Sequence, residues 1–184
     1  VESILSWTPL NQAKWVTGMI EDMQYTYEKL ATGLGREATY LKSLHRNYKI
    51  YQTAQDKGIA VEGAEETFSL VDVTFRATKA REHIKMEKHV DESNIGLDNI
   101  DDKNLAEIFK WVFGDDDGNE ALIQESREIN TLIKLIDHPI GLESLRAGKT
   151  ITLAEQAVRD SEYDPAELMA ERLEKLLKLL ILFL

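Results

Sequence analysis

Cysteine is absent from this chain of 184 residues. Its absence excludes a disulfide scaffold, a thiolate metal site and a catalytic thiol. Histidine is scarce as well, with four scattered along the chain. His83 and His89 stand six apart, not at the three- or four-residue spacing that brings two imidazoles to one side of a helix, so no metal site is expected. No glycine-rich phosphate loop follows a strand, and no nucleophile, base and orienter stand together. Neither a catalytic residue nor a cofactor is therefore assigned, and the chain is expected not to be an enzyme. It also lacks an apolar run of roughly 18 residues, the length a membrane-spanning helix needs. It opens on Val1 with no signal peptide or start methionine, which leads us to expect a piece of a longer, cytoplasmic protein.

Basic residues are outnumbered. There are 22 Lys and Arg against 33 Asp and Glu, a formal net charge of -11. Such a balance argues against a protein that coats nucleic acid nonspecifically, because phosphate neutralisation by Lys and Arg supplies most of that affinity. It does not exclude one that presents a single basic helix. With 43% hydrophobic residues the chain is long enough for one sizeable core or two small helical units.

The segment from Thr8 to Gly58 organises the rest. Thr8 is placed to cap a helix and Pro9 to occupy its first position, where a missing N–H costs nothing. Leu10, Ala13, Trp15, Val16, Met19, Ile20 and Met23 recur at helical spacing and are expected to bury. A short helix opening near Thr26 must stop at Gly33 to Gly35, and a longer one follows at once to Gly58. Ala31 sits where the two helices cross, and Gly35 holds a turn position that wants a left-handed backbone. Leu30, Leu34, Leu41 and Leu44 point into the angle between them.

This is the pattern of a helix-turn-helix. On its second helix Arg36, Thr39, Tyr40, Lys42, Ser43 and Arg46 are expected to face a DNA major groove. His45 is placed to touch a phosphate or base edge, and Lys49 to hold a phosphate. From Arg36 to Lys49 the net charge is +3, inside an acidic chain. Any αα-corner also needs a small residue at the crossing and a glycine in the turn, so geometry alone leaves a purely structural reading open. Tyr48 and Tyr51 share a face and are expected to pack on the first helix, base stacking being the less favoured alternative.

Here the residues carry a resemblance. The run WTPLNQA followed by QYTYEKLATGLGREATYLKSLHRNYKIY resembles the central helix-turn-helix of ParB-like partition proteins, where a TPLEQA-type helix precedes SYEELAKRLGRSPSTV. The stretch from Trp111 to Val158 is similar, more weakly, to the helical segment that follows in proteins with a ParB/sulfiredoxin-type domain. The resemblance implies sequence-directed or backbone-directed binding of double-stranded DNA. No GERR-like motif or nucleotide-binding strand pattern accompanies it, so the family's N-terminal domain is expected to be missing.

Between Glu62 and His89 the sequence predicts one or two further helices. TFSLVDVTF is rich enough in β-branched and aromatic residues to suit a strand, but its neighbours are good helix formers and lack turn signals. Arg76 to His89 is a second net +3 patch. Arg76, Lys79 and Arg81 there are candidates to hold phosphates beside the recognition helix. The competing reading is a solvated face paired at i, i+3 and i+4. Charge then reverses to net -8 from Asp91 to Glu120.

A helix is expected from about Asp101 to Phe113. The loop Asp115, Asp116, Asp117, Gly118 lacks the alternating ligands and the glutamate at the twelfth position of a calcium loop. Ser126, Pro139, a Thr152/Glu155 capping box and Asp164, Pro165, Glu167 mark further helix starts. The last stretch, PAELMAERLEKLLKLLILFL, turns apolar all round and is expected to need a partner, most simply a second copy of the chain.

The expected architecture is all-α: a helix-turn-helix DNA-binding region over 1–90, a small multi-helix domain over 91–160, and a C-terminal apolar helix over 161–184 serving dimerisation. The competing functional class is a helical protein–protein interaction module that does not bind DNA.

Overall fold

A computed structural model describes residues 7–59, 68–87, 94–115 and 120–162, with Met169, Leu173 and Glu174. Among the described residues the fold is all-helical. In chain order the helices are α1 (Pro9–Glu21), α2 (Tyr27–Leu34), α3 (Ala38–Asp56), α4 (Phe68–Arg76), α5 (Thr78–His83), α6 (Asp102–Phe113), α7 (Glu128–Asp137), α8 (Pro139–Arg146) and α9 (Ile151–Glu162). None is long and apolar enough to cross a membrane.

The start signals operate as their chemistry requires. Thr8 accepts from the Asn11 amide and Thr26 from the Lys29 amide, each satisfying a first-turn N–H that has no helical partner. Asp101 does the same for Asn104 at the head of α6. At α9 the capping side chain is Thr150, which accepts from the Leu153 amide. Thr152, the expected cap, lies inside the helix, because the helix begins at Ile151. Met23 is another departure. α1 ends at Glu21, so Met23 falls beyond the apolar stripe and is 66% exposed.

The chain divides into two compact units, residues 1–133 and 134–184. In the first, α3 is the central member, packed by α1, α2 and α4. At 1.5 Å per residue it is about 28 Å long, enough to serve all three. Leu41, Leu44, Ile50, Tyr51 and Ala54 on it are buried, as are Leu10, Ala13, Val16 and Ile20 of α1. Tyr48 and Tyr51 do not pack where expected. Both set their rings edge-on to Phe68 of α4, at 6.3 and 5.8 Å between centroids.

α4 itself shows why the strand-like composition of TFSLVDVTF yields a helix. Phe68, Val71 and Phe75 recur at i, i+3 and i+7 and are each 1% exposed. Burying each such side chain contributes about 1.5–3 kcal/mol, more than the roughly 1 kcal/mol span of β-propensity. Residues 90 to 100, the expected domain boundary, are bracketed by α5 and α6, which stay together in the first unit. The Asn104 amide group donates to the His83 carbonyl at 2.6 Å, the Asp101 N–H donates to the Ile84 carbonyl at 2.8 Å, and α3 reaches α6 through a Lys57–Asp102 ion pair.

In the second unit α8 packs on α9, with Leu145 and Ala154 buried. Gly141 lies against the end of α7 so closely that a Cβ there would stand 2.6 Å from the Leu135 carbonyl oxygen. Asp116, Asp117 and Gly118, the start signal at Asp164, Pro165 and Glu167, and most of the expected C-terminal helix lie outside the described residues.

Candidate nucleic-acid interface

The α2–turn–α3 unit is built by a left-handed residue at the corner. Gly35 adopts φ 62°, and the following amide, Arg36 N–H, donates back to the Ala31 carbonyl at 3.1 Å, closing the end of α2. Leu30, Ala31, Leu41 and Leu44 fill the angle. The corner therefore forms as its sequence predicts, with Leu34 only half-buried.

The candidate DNA contacts separate into two sets. Arg36 is exposed in the turn after Gly35, Thr39 is exposed at the start of α3, and Lys42 is half-exposed one turn on. Arg36 lies over the Tyr40 ring at 5.7 Å and Lys42 over the Tyr27 ring at 5.8 Å. A third cation, which sequence reasoning passed over, joins them: Lys29 on α2 is exposed and stands 4.5 Å over the Tyr25 ring. Among the described residues no carboxylate is within salt-bridge distance of these three. Aromatic rings support them and leave their charge uncompensated.

The second set turns inward. His45 is 0% exposed, which removes it from any groove-facing surface. Its Nε2 is 3.1 Å from a Glu21 carboxylate oxygen, so Nε2 carries the proton, and its Nδ1 then accepts from the Tyr27 hydroxyl at 2.7 Å. Burial, partly offset by Glu21, holds the His45 imidazole below its ordinary pKa. Glu21 also pairs with Lys49 at 3.1 Å, so that expected phosphate contact is engaged within the fold. Burial opposes ionisation of Glu21, but hydrogen bonds from His45 and Lys49 prevail and lower its pKa.

Arg46 and Ser43 are also drawn in. Arg46 donates from Nε to Asn47 Oδ1 at 3.0 Å and from Nη2 to Ser43 Oγ at 2.9 Å and the Phe75 carbonyl at 3.2 Å. Burial first, and the nearby Arg81 second, bring its guanidinium down to about 10. Tyr40 is half-buried and donates to Gln12 Oε1 on α1 at 3.0 Å. The expectation of an outward face thus fails for His45, which is fully buried, while Tyr40, Ser43 and Arg46 are half-buried with their polar groups engaged within the fold. α3 is covered on two sides, by α1 and α2 at Tyr40 and His45, and by α4 at Arg46, Asn47, Tyr48 and Tyr51.

Part of the flanking basic patch is paired with acids on its own helices. Arg76 pairs with Asp72, and Lys79 with Glu82 at 3.2 Å. Arg81 is half-buried and donates to the Phe75 and Arg76 carbonyls at 2.7 and 2.6 Å and to Thr78 Oγ1 at 3.0 Å. Burial lowers its pKa as well. Asn47, missed in the sequence, is fully buried and bonds Asp72 Oδ1 at 2.8 Å. A lone polar residue amid α3's apolar positions was the signal for it. No protein-family model matches the chain, and no curated protein or solved structure is significantly similar to it.

Proposed function

We propose that this chain binds double-stranded DNA through the start of α3, as a ParB-like helix-turn-helix does. The observation that carries the reading is the trio Lys29, Arg36 and Lys42, exposed or half-exposed around one corner, with no carboxylate among the described residues within salt-bridge distance. The first residues of a recognition helix are those that reach base edges in this motif class; Thr39 occupies that position, and Arg36 stands in the turn just before it. Lys29 and Lys42 flank them as phosphate contacts. The reading assigns no catalysis and needs no cofactor. It suits cytoplasmic partition of a plasmid or chromosome, transcriptional control or control of a mobile element, with two copies pairing to read two half-sites.

A second reading is favoured by the inward turn of Ser43, His45 and Arg46. Those contacts make the corner a core element, and the chain then serves as a helical interaction module.

Titration onto mixed-sequence duplex DNA at several salt concentrations, with an Arg36→Ala/Lys42→Ala double variant alongside, separates the two. Each phosphate contact contributes about 0.9 to the slope of log affinity against log salt, so binding should fall steeply with salt and the variant's slope should drop by one to two such steps. Folded wild-type protein that leaves duplex DNA unbound at low salt would support the interaction module instead.

A further inference from the structure

Between α3 and α5 lies a cleft of about 500 Å³ lined by Lys42, Arg46, Thr78, Arg81, Glu82, Met86 and Glu87. Volumes of this order accommodate small organic ligands. Its floor is unusual in charge. Arg46 and Arg81 both donate to one acceptor, the Phe75 carbonyl oxygen, so two guanidinium groups converge on a single point. Lys42 is the third cation on the wall. Of the two acids at the rim, Glu82 pairs with Lys79 while its charge still acts on Arg81, and Glu87 accepts from Asn99 at 2.8 Å. Among the described residues no carboxylate is within salt-bridge distance of Lys42, Arg46 or Arg81.

Like charges gathered in a half-buried place repel one another and lose hydration, which is unfavourable until an anion enters. Burial and mutual repulsion already depress the Arg46 guanidinium to about 10. A carboxylate would compensate one of the three cations. A phosphate group carries up to two charges on three peripheral oxygens and suits forked donors approaching from two sides. Met86 supplies an apolar wall for the organic part of a ligand.

We propose that this cleft is a binding site for a small phosphate ester or diphosphate, held by Lys42, Arg46 and Arg81. It stands on different residues from the DNA surface, with Lys42 alone common to both. A ligand there touches α3 one turn behind Arg36 and Thr39.

The test is calorimetric titration of the full chain with inorganic pyrophosphate, in parallel for wild type, Arg81→Gln, Lys42→Gln and Arg36→Ala, each first shown to be folded by circular dichroism. Saturable binding is expected in wild type and in Arg36→Ala, and about tenfold weakening in both cleft variants, the cost of losing one charge-assisted hydrogen bond. Arg81→Lys, which keeps the charge without the fork, should fall between. Equal affinity in wild type and Arg81→Gln, or no saturation by pyrophosphate in the millimolar range, overturns the proposal. So does a result in which pyrophosphate does not bind but Arg81→Gln weakens duplex binding, since the cleft is then a clamp for a DNA backbone phosphate. Pyrophosphate binding without any affinity for DNA would retain the cleft and remove the DNA reading, so the two fail separately.

Discussion

The Tyr27 hydroxyl donates to Nδ1 of a histidine, His45, that has no exposure at all. The bond ties the first residue of α2 to the middle of α3, and the other ring nitrogen ties α3 to Glu21 at the end of α1. Three helices of the proposed DNA-binding unit therefore meet at one imidazole. Tyr27→Phe keeps the ring and leaves Nδ1 buried without a donor, which costs about 1–3 kcal/mol. Urea unfolding should show that loss in the midpoint with little change in slope, and an unchanged midpoint would show that the bond contributes nothing net.

The same imidazole makes stability depend on pH. Its folded-state pKa lies below the ordinary 6.5, so the unfolded chain takes up the proton first. The stability it contributes is complete above about pH 6.5 and is lost as pH falls below that value toward the folded pKa. The slope cannot exceed about 1.4 kcal/mol per pH unit for one proton. Glu21, also lowered, acts in the same direction but only below its ordinary 4.5. Unfolding midpoints measured from about pH 7.5 to about pH 5.5, the range in which imidazoles titrate, should fall more steeply in wild type than in His45→Gln. Parallel curves would place the titration elsewhere.

Asn47 joins α3 to α4 through the Asp72 carboxylate at 2.8 Å and the Asp72 carbonyl at 3.3 Å. Asp72 is itself buried and holds Arg76 as well. Asn47→Leu has similar volume but leaves a buried carboxylate short of a donor, so we expect a loss of about 2–3 kcal/mol. The double variant Asn47→Leu/Asp72→Leu should recover part of that loss. A double variant less stable than the sum of the singles would show that the pair is not coupled as described.

How far the sequence disclosed the structure follows from such pairs. The Thr8 cap, Pro9 at the first helical position and the Gly35 turn depend on residues within a few positions, and each was legible, as were helix starts near Thr26 and Asp101. The helical state of α4 was legible too, from its helix-forming neighbours and despite its β-branched content. What was not legible is the second cover of α3. A helix with one apolar stripe leaves the opposite face free, and Ser43 and Arg46 read as that free face. Only the arrival of α4, placed by Phe68, Val71 and Phe75, encloses them. His45 is different, because it stands four residues after Leu41 and one after Leu44, and the helical period already put it inside.

Two glycines should respond to alanine for different reasons. At Gly35 nothing lies within 4 Å of an added Cβ, so the cost is that of the left-handed backbone, about 1–2 kcal/mol. At Gly141 the backbone is ordinary but the Cβ would press on the Leu135 carbonyl at 2.6 Å, and helix α8 must move. Gly35→Asn should restore most of the stability lost in Gly35→Ala, since Asn tolerates that conformation, whereas Gly141→Asn should be worse than Gly141→Ala. Thermal unfolding of the four variants distinguishes them, and rescue of Gly141 by Asn would disprove the steric account.

Arg46 decides how the DNA-binding proposal must be tested. Taken as exposed, it invites an alanine variant that removes binding and leaves the fold intact. Its guanidinium instead donates to Asn47, Ser43 and the Phe75 carbonyl, joining α3 to the end of α4. Arg46→Ala deletes those donors and leaves a buried carbonyl and amide oxygen less satisfied, a loss of about 1–3 kcal/mol that Arg36→Ala and Lys42→Ala do not incur. Denaturation should rank Arg46→Ala well below both, which should lie within about 0.5 kcal/mol of wild type as surface changes do. Loss of duplex binding in Arg46→Ala then mixes loss of structure with loss of a contact, while the same loss in Arg36→Ala/Lys42→Ala reports on the surface. If Arg46→Ala unfolds no more easily than wild type, its bonds to α4 are not holding the helix, and Arg46 returns to the set of groups free to meet DNA.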